Sequence, residues 1–125
     1  MANVLVVDDE HHIRLLIEQT LEELGDEGVL LLTAPDGEAA LEAIRVHRPA
    51  LTFLDVMMPK MNGYDVCRTA KAELGADAGT IVLLTARGQA LDRERGLAAG
   101  ADEFMTKPFD PDRLLGYARG ILGLA

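Results

Sequence analysis

The sequence predicts a single α/β domain built on a doubly wound parallel sheet, a three-layer sandwich with helices on both faces. Five short, nearly all-apolar segments alternate with five segments in which apolar residues recur at helical spacing. Strands that are apolar on both sides are typical of a parallel sheet buried between two helical layers. Right-handed crossovers to both faces require the winding to reverse within the sheet, and ligands bind at the carboxyl ends of the strands beside that reversal.

The first half of the chain contains three predicted strands and two predicted helices. Gly25 ends the apolar periodicity of the first helix. Asp36 has the residue type of an N-cap for the second helix, which Pro49 closes. In chain order these elements are strand Val4–Val7, helix His11–Leu24, strand Val29–Thr33, helix Gly37–His47 and strand Leu51–Leu54.

The second half repeats the alternation. Asn62 is a candidate cap for the third helix, and Asp110 before a proline is typical of an N-cap followed by the first helical position. The last helix contains Gly116 and Gly120, each costing about 1 kcal/mol relative to alanine, so we expect this helix to depend on packing. The predicted elements are helix Gly63–Leu74, strand Thr80–Thr85, a weaker helix through Arg93 and Leu97, strand Glu103–Thr106 and helix Pro111–Leu122.

Composition limits the classes of function. With 125 residues, 49% of them hydrophobic, the chain has the size of one domain, which we expect to span residues 1–125. The formal charge of −9 disfavours direct nucleic-acid binding, and no apolar run approaches the ~20 residues that cross a bilayer. With one cysteine, Cys67, and no evident signal peptide, the sequence predicts a cytoplasmic domain without an internal disulfide.

Polar side chains follow directly after four of the five predicted strands. They are Asp8 and Asp9 after the first strand, Asp55 after the third, Thr85 after the fourth and Lys107 after the fifth. Parallel strands end at the same edge of a sheet, so these side chains are expected there together. If the first and third strands are neighbours, three carboxylates share a small volume, and their repulsion raises their pKa values or recruits a cation.

This constellation predicts phosphorylation of Asp55. Mg²⁺ typically binds one or two carboxylates, keeps several waters and leaves room for a phosphate oxygen. Lys107 offers a positive charge and Thr85 a hydroxyl donor, so a phosphoryl group on Asp55 would be neutralised and held. The loop VVDDEHHIR contains no glycine, whereas nucleotide-binding loops need glycines to approach phosphate, so no nucleotide cofactor is expected.

Four motifs identify a family resemblance. The segments VLVVDDE, LDVMMPKMNG, LLTA and GADEFMTKPF occur in order and at the spacing of the receiver domain of two-component response regulators, which this chain resembles over nearly its whole length. The resemblance implies a flavodoxin-like sheet of order 2-1-3-4-5 between five helices. It also implies a Mg²⁺-dependent phosphorelay switch, in which Mn²⁺ can substitute, with a sensor histidine kinase, a phosphotransfer protein or an acyl phosphate as donor.

The resemblance also assigns roles to residues of the metal and acceptor site. Asp55 would be the phosphoacceptor, Asp9 would ligate Mg²⁺ directly and Asp8 would ligate it through water. Asp55 itself and the backbone carbonyl of Met57 would complete the protein ligands. Lys107 would contact the phosphoryl group and, in the family, precedes proline in a cis peptide bond.

A second set of implied roles concerns signal output. Thr85 would contact the phosphoryl group and move toward it, while the ring of Phe104 would fill the vacated space as an aromatic switch. Ala86 is small and would leave the acceptor accessible. The signal would pass through the surface of helix four, strand five and helix five to an effector protein or a fused output domain. Whether Phe104 switches, which kinase acts and whether the domain stands alone are open at the level of sequence.

Several of these residues also have purely structural interpretations. Asp8 and Asp9 could cap the first helix, Lys107 could be a surface lysine paired with a carboxylate, and Thr85 could be an ordinary strand residue. Phe104 could be a half-buried ring without a switching role.

The remaining candidates favour structural roles more strongly. The methionines within residues 57–61 are predicted to fill the core and pack the loop rather than to act as sulfur ligands. His11 and His12 point in different directions from a helix, which disfavours a joint metal site. Cys67 is predicted to be a buried structural thiol.

Two other functions compete with the switch. A phosphohydrolase of the haloacid-dehalogenase type also forms an aspartyl phosphate, but it places a general-acid aspartate two residues after the nucleophile, where this chain has Met57. A phosphorylation-independent interaction module is the third hypothesis, and the intact acidic, hydroxyl and lysine positions count against it.

One regulator subgroup dimerises through helix four, strand five and helix five. Its last helix commonly carries an acidic residue followed four positions later by arginine, where this chain has Arg113 and Tyr117. That mode of dimerisation is therefore in doubt, although Asp102, Glu103 and Arg93 could supply some of its ion pairs.

Overall fold

The computed structural model describes residues 2–86, 92–107 and 109–124, in which five strands alternate with five α-helices. The strands are β1 (Asn3–Val7), β2 (Leu30–Ala34), β3 (Leu51–Asp55), β4 (Thr80–Ala86) and β5 (Glu103–Lys107). The α-helices are α1 (His11–Thr20), α2 (Gly37–His47), α3 (Gly63–Leu74), α4 (Asp92–Ala98) and α5 (Pro111–Leu122). All neighbouring strands pair in parallel in the order β2-β1-β3-β4-β5, which confirms the predicted doubly wound sheet and its order.

The sheet is buried on both faces, as the apolar strands predicted. One cluster lies between the sheet and α2 and α3; its members include Leu5, Val7, Ile44, Leu54, Val66 and Leu83. The other lies between the sheet and α1 and α5; its members include Val4, Val6, Ile17, Phe53, Leu84 and Leu114. Alternate residues of each strand therefore enter opposite cores. Among the described residues, every helix is too short or too polar to span a bilayer.

The strand register sets the level of the polar residues. Val7 pairs with Leu54, so Asp8 follows β1 at the level where Asp55 ends β3. Lys107 ends β5 at the same edge. The winding reverses between β1 and β3, the place where doubly wound sheets bind ligands.

Side-chain caps fix the starts of three helices as the sequence predicted. The Asp36 carboxylate accepts a hydrogen bond from the Ala39 backbone N–H at 2.9 Å, and the Asn62 side-chain oxygen accepts one from Asp65 at 3.0 Å. Asp110 caps α5 in the same way. The predicted bounds of the second, third and last helices agree with α2, α3 and α5.

The predicted end of the first helix is wrong. The α-helix stops at Thr20, and a 3₁₀ helix at Glu22–Glu27 carries the chain to Gly28, whose φ of 83° lies in the left-handed region that favours glycine. Leu24 remains fully buried because the tighter turn brings it under the sheet. The apolar periodicity therefore continued past the α-helix, and Gly25, the predicted stop, lies inside the 3₁₀ segment.

Candidate functional site

Three charged residues meet at the carboxyl edge of the sheet. The Lys107 Nζ lies 2.8 Å from Asp8 Oδ2 and 3.0 Å from Asp55 Oδ1. Asp8 is fully buried and Asp55 is 4% exposed. Strand alternation explains the meeting, because all three residues have the parity of the positions that face the α1 and α5 side. A surface role for Lys107 is thereby excluded, since its ion pairs are with buried carboxylates.

The charges at this edge are unbalanced. The pKa of Asp55 is raised from 3.8 to about 7, chiefly by burial; repulsion from Asp8 adds to the rise, and the hydrogen bond and positive charge of Lys107 oppose it. A hydrogen bond with Asp9 also contributes to the raised pKa of Asp55. Burial lowers the pKa of Lys107, but its contacts with Asp8 and Asp55 outweigh that effect and raise it above its ordinary value. The lysine therefore stays charged, but its single positive charge cannot neutralise both Asp8 and Asp55.

The loop after β1 brings a further carboxylate to the cluster. One carboxylate oxygen from each of Asp8, Asp9 and Glu10 lies within 4.8 Å of the others. Asp9 and Glu10 are exposed, whereas Asp8 is buried. Sequence reasoning did not single out Glu10, although its position directly after the aspartate pair was an available signal.

Two hydrogen bonds hold this loop against the start of α1. The backbone N–H of Glu10 donates to Asp8 Oδ1 at 2.9 Å, and the Arg14 guanidinium donates to the Asp8 backbone oxygen at 2.8 Å. Asp8 therefore does receive a helix-start hydrogen bond, as the capping alternative supposed, while its other oxygen faces Lys107. Arg14 was also not predicted; its role depends on a contact from α1 back to Asp8, six positions earlier in the chain.

Thr85 and Phe104 lie on the other face of the sheet. Thr85 is 8% exposed near the end of β4. Phe104 of β5 pairs in register with Leu83, which precedes Thr85 by two residues in β4. A Cβ added at Gly96 of α4 would lie 2.2 Å from a carbon of the Phe104 ring, so the ring occupies the space that a side chain would fill. This layout places an aromatic ring between α4 and the strand that carries Thr85.

Met57 is the second residue of the loop that follows Asp55. The residue is 64% exposed, so the prediction that it fills the core is wrong for Met57, whereas Met58 and Met61 are partly buried against the core. The ligand group proposed for Met57 is its backbone carbonyl, and this role stays a prediction. The side chain of Ala86 and the peptide bond to Pro108 lie outside the described residues.

The remaining candidates occupy structural positions. Cys67 is fully buried, its thiol donates to the Ala99 backbone oxygen at 3.4 Å, and burial raises its pKa to about 11. His12 lies 3.5 Å from Glu10, and His11 contacts Arg14 at 3.2 Å. The prediction of a buried structural thiol is confirmed, and the two histidines make separate contacts.

One carboxylate that could have served dimerisation is engaged within the chain. Asp102 Oδ2 accepts hydrogen bonds from Lys71 Nζ and from the Ile81 backbone N–H, each at 2.8 Å. The side chain of Arg93 is outside the described residues. Two observations therefore count against this dimer mode: the residues of the last helix and the pairing of Asp102 within the chain.

The donor set fits a hard divalent cation. Asp8 and Asp55 are buried carboxylates in excess of the one lysine between them, and Asp9 adds a third carboxylate at the exposed rim. Oxygen ligands with excess negative charge suit Mg²⁺, and the raised pKa of Asp55 indicates a place where added positive charge would be favourable. Such an edge can hold a cation and a phosphoryl group together.

Comparison with known proteins gives a consistent result. The model of the response regulator receiver domain matches residues 4–119. "Probable transcriptional regulator ycf27" of Cyanophora paradoxa is 44% identical over 95% of this chain and 47% of its own length. The alkaline phosphatase synthesis transcriptional regulatory protein PhoP of Bacillus subtilis is 40% identical over 95% of this chain and 48% of its own length. The chain thus spans about half the length of these curated relatives.

A solved structure matches over nearly the whole of both chains. The chemotaxis response regulator CheY4 of Vibrio cholerae superposes with a TM-score of 0.82 at 32% sequence identity, covering 97% of this chain and 98% of that one. The shared architecture therefore extends from β1 to α5.

Proposed function

This chain belongs to the family of response regulator receiver domains, and from that premise we propose that it is a phosphoacceptor switch with Asp55 as the acceptor. The observation that carries the proposal is the position of Asp55: it ends β3, is 4% exposed, and lies 3.0 Å from Lys107 and beside the Asp8 carboxylate. A carboxylate in such a place has a lysine to hold a transferred anion and neighbouring carboxylates to hold a cation.

The chain's own groups account for the transfer. The ionised Asp55 carboxylate attacks phosphorus in line, and the new O–P bond forms as the bond between phosphorus and the donor breaks. When the donor is a phosphohistidine whose second ring nitrogen carries a proton, the histidine leaves as neutral imidazole. Lys107 keeps its proton and attracts the phosphoryl oxygens. Asp8, Asp9, Asp55 and the carbonyl of Met57 would hold Mg²⁺, or Mn²⁺ in its place. The bound ion supplies positive charge that favours ionised Asp55 and the approach of the anionic donor.

The output follows from the change of charge at Asp55. A phosphoryl group adds negative charge and three acceptor oxygens, to one of which the Thr85 hydroxyl can bond. Movement of Thr85 frees space on the face where the Phe104 ring rests against Gly96. The relative populations of the conformations of the surface formed by α4, β5 and α5 would shift as a result. In the phosphorylated state, that surface would engage an effector or output domain.

The family sets the partners in general terms: a histidine kinase upstream and an output effector downstream. The relatives are named transcriptional regulators, so a DNA-directed output would lie outside this acidic domain. The domain would act in the cytoplasm and would catalyse only its own phosphorylation and dephosphorylation. Against a phosphohydrolase, the position two residues after Asp55 is Met57, which cannot transfer a proton.

The test is phosphorylation by a small donor. Incubation with acetyl phosphate and Mg²⁺, followed by intact mass measurement, should add one acid-labile phosphoryl group to the wild type. The gain should be absent in Asp55→Asn and without Mg²⁺, and present in Asp77→Asn, which removes an exposed carboxylate at the opposite end of the sheet.

Two results would contradict the switch. Rapid multi-turnover release of phosphate from unrelated esters would favour the hydrolase. A wild-type chain that gains no phosphoryl group under any condition would leave an interaction module.

A further inference from the structure

The first turn of α2 touches the loop that follows Asp55. Gly37, the first residue of α2, is buried, and a Cβ added there would lie 1.9 Å from the backbone oxygen of Met61 and 2.8 Å from its Cβ. Such distances are not tolerated between real atoms, and the Met61 oxygen belongs to the backbone, which cannot turn aside as a flexible side chain can. The two segments approach this closely only because residue 37 has no side chain.

A second contact joins the same two segments. Asp36 caps α2 with one carboxylate oxygen, while its other oxygen lies 3.5 Å from the Lys60 ammonium group. Lys60 has a φ of 68°, and the Met61 N–H donates to the Pro59 oxygen at 2.8 Å, which closes a three-residue turn around it. Such conformations persist in residues other than glycine where the surroundings impose them, and they cluster at functional sites.

The ends of this loop are also fixed. The Gly63 N–H donates to the Val56 oxygen at 2.9 Å, and a Cβ at Gly63 would lie 2.4 Å from the Asp55 backbone oxygen. The loop of residues 56–62 is therefore held at its start and end by Gly63 and, near its end at Met61, by Gly37. Met57 is the second residue of this loop, two positions after Asp55.

We infer that Gly37 is a positioning residue for the site at Asp55: the space left by its missing side chain determines the course of the loop that carries Met57. This inference rests on the proposed function for its consequence, since the group being positioned is a Mg²⁺ ligand only if that function is correct. Residues that orient metal ligands typically contribute about 10- to 100-fold to metal affinity.

The test compares two glycine variants with similar steric conflicts at opposite ends of the sheet. A Cβ at Gly79 would lie 2.2 Å from the Pro49 backbone oxygen, so Gly79→Ala is a matched control remote from Asp55. Mg²⁺ affinity is measured by calorimetry, the acetyl phosphate reaction by intact mass, and backbone amide shifts by NMR without metal. Gly37→Ala should weaken Mg²⁺ binding at least about 10-fold and shift the amides of residues 56–62. Gly79→Ala should lose stability but leave Mg²⁺ affinity unchanged.

Equal Mg²⁺ affinities in Gly37→Ala and the wild type, or equal losses in both glycine variants, would overturn the inference. If Gly37→Ala does not fold, Lys60→Gly removes the side-chain contact with Asp36 and should weaken Mg²⁺ binding about two- to fivefold, while no change would count against the inference. A wild type that binds no Mg²⁺ would refute the proposed function instead, and the metal-free amide shifts of Gly37→Ala would still decide whether Gly37 sets the course of the loop.

Discussion

Lysine–aspartate pairs occur at both ends of the sheet, and they differ in how completely their charges are satisfied. At the amino edge, Lys71 donates to Asp102 at 2.8 Å and to the Gly79 backbone oxygen at 2.9 Å. Asp102 also accepts a backbone N–H, and its side chain is 41% exposed. At the carboxyl edge, Lys107 faces two carboxylates that are almost inaccessible to water.

The difference lies in the balance of charge rather than in the presence of an ion pair. One lysine and one carboxylate neutralise each other at the amino edge, and water and backbone groups satisfy what remains. One lysine cannot neutralise Asp8 and Asp55 together, and Asp9 lies beside them. The charges at the amino edge are therefore balanced in the folded protein, whereas the carboxyl edge is stabilised by added positive charge. Functional sites often carry such unrelieved electrostatic cost.

The largest expected effect is a gain of stability when the excess charge is removed. The pKa of Asp55 is raised from 3.8 to about 7, which corresponds to about 4 kcal/mol. Between these values the folded protein keeps a proton that the unfolded chain has lost, so the free energy of unfolding falls as pH rises through this window. Asp55→Asn should therefore be more stable than the metal-free wild type by up to about 4 kcal/mol near pH 8, with no difference near pH 4. Urea denaturation with a chelator present measures both limits.

The matched control is Asp77→Asn, an exposed carboxylate at the amino edge. Its stability should follow the wild type at every pH. Parallel pH profiles for the wild type and Asp55→Asn would show that the carboxyl edge carries no unbalanced charge, and the comparison between the two edges would fail.

Much of this contrast could be predicted from the sequence, because strand ends have recognisable polar residues. Asp8, Asp55 and Lys107 each follow an apolar run, and a parallel sheet carries such residues to one edge. The sequence could not distinguish the depth of Asp8 from that of Asp9, because burial depends on how α1 leaves the strand. The exposure of Met57 was missed for a similar reason: the loop turns it outward after Asp55.

Contacts between segments that are distant in the sequence could not be predicted from local sequence patterns. Gly37 and Met61 are separated by many residues, and nothing local indicates that the first turn of α2 touches a loop after β3. The Lys71–Asp102 pair has the same character, since it joins a helix to the residue before a strand. The end of α1 was also missed, because a 3₁₀ turn buries Leu24 as well as an α-helical turn would, so the apolar pattern does not distinguish the two.

A pair of lysine variants compares the two edges directly. Lys107→Met leaves Asp8 and Asp55 buried without their cation, so it should cost about 3 kcal/mol at neutral pH without divalent metal. Lys71→Met should cost only about 1 kcal/mol, because Asp102 keeps the Ile81 N–H and contact with water. Methionine preserves the apolar stem in both variants, so urea denaturation reports the loss of the charge. Equal costs at the two edges would contradict the difference in balance.

The smallest expected effect concerns an exposed pair at the amino edge and has the opposite pH dependence from Asp55. Two hydrogen bonds from Arg45, at 2.8 and 2.6 Å, lower the pKa of Glu73 below 4.5. The pair therefore stabilises the fold above the ordinary pKa of glutamate, and this contribution is lost as pH falls through the lowered value. Glu73→Gln should be slightly less stable than the wild type at neutral pH and equal to it in acid, as measured by urea denaturation. If Glu73→Gln instead became more stable than the wild type as pH rises, as Asp55→Asn should, negative charge at the amino edge would also be in excess.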